Sequence, residues 1–129
     1  MFTSEAVTRG VRVRVTSRFA PQQSRPDQNR WFFFYTVEIR NEGTETVQLI
    51  SRHWIIENGD QEIEEVRGPG VVGETPVLEP GTAFEYTSGC PLTTPFGSMR
   101  GTYQMVTSDG IQFDATIAPF TLSEPYTVH

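Results

Sequence analysis

Lysine is absent from this chain: all ten positive charges are arginines, set against sixteen acidic residues. The net charge of −6 and pI near 4.8 exclude the basic footprint with which a nucleic-acid binder displaces counterions. Cysteine is nearly absent too. Cys90 stands alone, so no internal disulfide can form, and a reducing cytoplasm is the expected compartment. No apolar run approaches the ~20 residues of a membrane helix, and the opening MFTSEAVTRG has neither the basic nor the apolar region of a secretory signal. Histidine occurs only as His53 and His129. That leaves a transition-metal centre poorly supplied and a nucleophile without a positioned base. No catalytic residue, metal or cofactor is expected.

What is present specifies an architecture. A chain of 129 residues, 36% hydrophobic, fits one soluble domain spanning residues 1–129, with its core from about 7 to 125. Val11, Val13 and Val15 alternate with polar residues in a first strand expected from about Gly10 to Phe19. Residues 20–30 (APQQSRPDQNR) read as a mobile loop. In WFFFYTVEIR, Trp31, Phe33, Tyr35, Val37 and Ile39 share one face, with Phe32 and Phe34 on the other. Asn41-Glu42-Gly43 is expected to close a hairpin into the next strand, whose alternation breaks beyond Ser51 as a bulge or a doubly covered strand would break it. Asn58-Gly59 and Asp109-Gly110 read as hairpin turns, and the acidic QEIEEVRG belongs at a sheet edge. Thr82–Ser88 is a further strand, with Phe84 and Tyr86 inward, and a short polar tail closes the chain at 123–129. About seven short strands without a helix predict an antiparallel β-sandwich of the fibronectin type III/immunoglobulin-like kind.

Two places invite a function. Between Arg67 and Gly81, Gly68, Gly70 and Gly73 match G-x-G-x-x-G, the spacing of a phosphate-binding turn. That turn needs a helix N-terminus, and Thr75, Pro76, Glu79, Pro80 and Gly81 forbid one here. The glycines read first as loop geometry. The sharper reading is an anion nest assisted by Arg67 and Arg52. The second place is Phe32 and Phe34, which either lie under a second layer or form an apolar interface for a protein partner or a second copy. The arginines gather in the first thirty residues, while residues 38–85 carry eleven acids; a solvated face with arginine beside its acidic neighbours is the plainer reading of that asymmetry.

Several ordered motifs resemble the ApaG family: Arg52-His53-Trp54, the GPGVVGE loop, Pro80-Gly81, and Thr94-Pro95 followed by Gly97, Met99 and Gly101. The resemblance runs from about Val7 to Pro125. It implies a fibronectin-type-III-like sandwich in a small bacterial cytoplasmic protein, linked genetically to cobalt tolerance and magnesium efflux. Similar domains in eukaryotic proteins look like protein-binding modules. The resemblance also implies a pyrophosphate site at Gly68, Gly70 and Gly73. The expected function is thus a non-enzymatic interaction module, with phosphate, pyrophosphate or nucleotide binding as the alternative.

Overall fold

The computed structural model describes residues 1–125. Its elements are strands β1 (Phe2–Thr8), β2 (Val11–Phe19), β3 (Trp31–Asn41), β4 (Val47–Asn58), β5 (Ile63–Pro69), β6 (Val77–Leu78), β7 (Ala83–Leu92), β8 (Phe96–Thr107) and β9 (Gln112–Ser123). Two short 3-10 turns, Pro21–Gln23 and Pro26–Gln28, join β2 to β3. One sheet has the order β1-β2-β3-β7; the other has β5-β4-β8-β9, with β6 also paired to β4. Every ladder is antiparallel. The seven strands expected from sequence are β2–β5 and β7–β9, and β1 and β6 make nine. β1 escapes a pattern search because its residues are half-buried or exposed, so apolar alternation never develops. β6 has only two residues.

The alternating residues of β2 and β3 fill the space between the sheets. Val11, Val13, Val15, Phe33, Val37 and Ile39 meet Leu49, Trp54, Met99, Tyr103, Met105, Ile117 and Leu122 in one core. Burying an aliphatic or aromatic side chain of this size contributes roughly 1.5–3 kcal/mol. The β1–β2 side is stitched to β9 by polar bonds. Ser4 Oγ donates to Ala118 O at 2.9 Å, and Ser17 Oγ to Thr121 O at 2.6 Å. On the opposite side, where β7 and β5 are edge strands, the segment after β5 lies across the gap and inserts Val71 into the core.

Two expected turns differ. The chain from Asn41 to Val47 closes no hairpin: it carries β3 in one sheet to β4 in the other. Both ladder sides of β3 are taken by β2 and β7, and both sides of β4 by β5 and β8, so the two strands cannot pair. Asn58-Gly59 does lead into the β4–β5 hairpin, but the positive φ falls on Gln61 (65°). Asn58 organises the turn through its side chain instead, accepting from the amides of Asp60 and Glu62. The break in β4 is a bulge, with register shifting between Leu49 and Ser51, and β5 does lie at an edge. Residues 20–30 fold back on themselves: Ser24 is buried, donates to Ala20 O and accepts from Phe32 N. Of the tail, Ser123 ends β9, Glu124 accepts a hydrogen bond from the Trp31 indole at 3.0 Å, and 126–129 lie outside the described residues.

Candidate functional site

The three fingerprint glycines have three separate surroundings. Gly68 sits within β5, opposite Arg52 of β4. A Cβ there would stand 2.9–3.1 Å from the Arg52 guanidinium, so the missing side chain makes room for Arg52. Gly70 has φ +59°, and a Cβ would collide with the Glu74 carbonyl oxygen. Gly73 has φ +81° with open space around it. Most loop amides are already engaged: Gly70 donates to Ile50 O, Val71 to Glu74 O and Glu74 to Val71 O. Arg67 points outward, its side chain 72% exposed and 3.8 Å from Glu65. Arg67 and Gly68 border a broad hollow on the outer face of the second sheet, shared with His53, Thr102 and Asp114. Gly73 instead borders a cleft between the sheets. The fingerprint is contiguous in sequence and divided in space.

That cleft, of about 360 Å³, is lined by Tyr35, Arg52, Trp54, Val71, Tyr86 and Ser88 among others. Tyr35 and Ser88 are cross-strand neighbours on β3 and β7. Arg52 enters from β4, where its Nη1 donates to Pro69 O and Gly70 O, both at 2.9 Å. Its other N–H groups have no acceptor among the described residues, and it forms no ion pair there. Behind it, the hydroxyls of Tyr86 and Tyr103 share a short buried hydrogen bond. Burial pushes the Tyr35, Tyr86 and Tyr103 phenols up, while the nearby positive charge of Arg52 works against the rise in all three. Tyr35 packs edge-on against Trp54, ring centroids 5.4 Å apart.

Phe32 and Phe34 lie on the outer face of the first sheet, half-buried and packed edge to face at 5.3 Å. The Phe32 ring occupies the space over Gly89 where a side chain would stand. The Arg18 guanidinium sits 4.9 Å from the Phe34 ring centre. No other strand among the described residues covers these rings. Beyond them runs a polar row, Thr3, Thr16, Thr36 and Thr87, in register across all four strands.

The remaining candidates stay apart. His53 Nε2 is 2.7 Å from Glu65 on the outer face of the second sheet. Cys90 is buried in the core, its thiol pushed up to about 12 by burial, which leaves it a poor nucleophile. Among the described residues no three His, Cys, Asp or Glu side chains are grouped to hold a metal ion, and no helix is long and apolar enough to cross a membrane. Arg12 lies between Glu5 and Glu42, 2.9 Å from each, and its hydrogen bond lowers the Glu42 carboxyl. Arg9 also meets an acid, 3.8 Å from Glu45, whereas Arg18 lies over Phe34. The residues that sequence reasoning missed are Tyr35, Tyr86 and Ser88. Their apposition to Arg52 depends on which sheet edges meet, and no local pattern records that.

These features define a class: an antiparallel β-sandwich with a loop-closed cleft at one side. A family model for the ApaG domain matches residues 21–107, and the chain belongs to the ApaG family. It is 57% identical over 122 residues to Protein ApaG of Methylobacterium sp. (strain 4-46), covering 95% of this chain and 94% of that one. It is 56% identical over 119 residues to Protein ApaG of Pseudomonas aeruginosa, covering 92% and 94%. A crystal structure from Bordetella pertussis is 55% identical, covers 91% of this chain and 95% of its own, and superposes with a TM-score of 0.88. A second X-ray structure, 47% identical over 93% of this chain and 91% of its own, gives 0.86.

Proposed function

We propose that this domain is a non-enzymatic interaction module of the cytoplasm that docks a protein partner on the outer face of its first sheet. One observation carries the reading: Phe32 and Phe34 form a half-buried aromatic pair on a sheet face that no other strand among the described residues covers, with Gly89 beneath and Arg18 beside. Aromatic rings held in a fixed rotamer lose little entropy on binding, which is why such residues concentrate interface energy. The occupant is a protein surface presenting an apolar side chain to Phe34 and a carboxylate to Arg18. With β1 set aside as an added edge strand, β2, β3 and β7 facing β5, β4, β8 and β9 support the fibronectin-type-III-like reading of the sandwich. The link to cobalt tolerance and magnesium efflux then acts through that protein contact. Phosphate binding by Gly68, Gly70, Gly73 and Arg67 is the weaker reading, since the amides of Gly70, Val71 and Glu74 already donate within the backbone.

The test compares Phe34→Arg with the unaltered chain. Affinity capture with mass spectrometry identifies the partner, and titration calorimetry on the purified pair gives its affinity. We expect a thermal midpoint lowered by a few degrees, since the aromatic pair and the Arg18 contact are lost, and a loss of at least about 2 kcal/mol of binding, more than tenfold in Kd. Equal affinity in the folded variant, together with unchanged mass by light scattering, removes this face from the function.

A further inference from the structure

The cleft on the opposite side of the sandwich lies outside that interface. We propose that it is a binding site for a small organic oxyanion, a carboxylate or phosphate monoester carrying a compact apolar body. Arg52 supplies the charge. It is partly buried, and no carboxylate among the described residues pairs with it. Its Nη1 hydrogens are held by the carbonyls of Pro69 and Gly70, which fixes the plane of the guanidinium. The Nε and Nη2 hydrogens have no acceptor among the described residues. A planar fork with one edge anchored and the other unengaged suits two oxygens of an oxyanion.

The rest of the cleft matches such a ligand. The Tyr35 phenol and Ser88 hydroxyl stand together on β3 and β7, close enough to hydrogen-bond to each other, and leave one hydroxyl donor for the ligand. Trp54, Val71 and the Tyr86 ring offer apolar walls. A volume of about 360 Å³ falls in the range of small-molecule sites, roughly 300–1,000 Å³. The glycine loop acts indirectly. Gly68 leaves space for the guanidinium, and Gly70 turns the chain so that two carbonyls face it. The loop is thus a brace for a cation, whose charge then recognises the anion.

Amide spectra of the full chain test this, with phenyl phosphate, phenylacetate, inorganic phosphate and benzyl alcohol as probes. Saturable shifts at Val71, Gly73 and Ser88 are expected with the phenyl anions at millimolar concentration. Inorganic phosphate should bind more weakly, and the uncharged alcohol should give none. Tighter binding of phenyl phosphate than of phenylacetate assigns phosphate esters; the reverse assigns carboxylates. Arg52→Gln should weaken binding at least about tenfold, and Ser88→Leu, which fills the cleft without removing the charge, should abolish it even where Arg52→Gln fails to fold. Absence of saturable shifts with both phenyl anions overturns the proposal. So does undiminished binding in either folded variant, or a response confined to Arg67 and Gly68.

Discussion

At residue 70 the backbone has φ +59°, and an added Cβ would meet a carbonyl oxygen of its own loop. Neither problem can be relieved by a side-chain rotation. Gly70→Ala should therefore destabilise the fold by about 2–4 kcal/mol, read as a lower urea midpoint. Gly73→Ala, with the same sign of φ but open space, should cost only about 1 kcal/mol. At Val72 the expected effect on stability has the opposite sign. Val72 is β-branched, exposed, and held at φ 43°, a conformation asparagine tolerates far better. Val72→Asn should raise the midpoint, by up to about 1 kcal/mol. The glycine spacing was legible in the sequence, and so was its conflict with a helix-bound phosphate. That Gly68 makes room for Arg52 was not, because the two are sixteen residues apart and meet only through the β4–β5 register.

Among the elements, the connection from β3 to β4 changes the fold most. Asn41 is buried and ties it together: its Nδ2 donates to Glu45 O at 2.8 Å and Leu78 O at 2.9 Å, while its Oδ1 accepts from Gly43 N at 2.9 Å. Asn41→Ala would strand these backbone groups and should cost about 2–3 kcal/mol, with amide exchange accelerating first at Gly43 and β6. Asn41-Glu42-Gly43 looks like a hairpin turn because hairpins and inter-sheet arches share the same turn residues. Only the occupancy of both neighbouring ladders distinguishes them. The bulge in β4 shows the opposite case. Losing the two-residue period beyond Ser51 is a local signal, and the register shift lies just before it, between Leu49 and Ser51.

For the whole molecule, burial of phenols and a thiol couples stability to alkaline pH. Tyr35, Tyr86 and Tyr103 are raised from an ordinary value of 10.0, and Cys90 from 9.0 to about 12, by desolvation. A group whose folded pKa exceeds its unfolded one gives stability that is fully present below the unfolded value and lost as pH rises through the folded one. The urea midpoint should hold up to about pH 9 and fall steadily above it. Tyr86→Phe should flatten the fall while lowering stability at neutral pH by about 1–3 kcal/mol, since Tyr103 loses its partner. Composition and two-residue alternation by themselves determined the class, the seven main strands, the inward faces of β2 and β3, and the aromatic pair at Phe32 and Phe34. These follow from local physics: a strand's side chains alternate, and apolar ones seek the core. Which sheet edges face each other, and hence the joining of Arg52 with Tyr35, Tyr86 and Ser88, was decided only by the tertiary structure. Those residues come from three strands in two sheets, and the contacts that join them have no period in the chain.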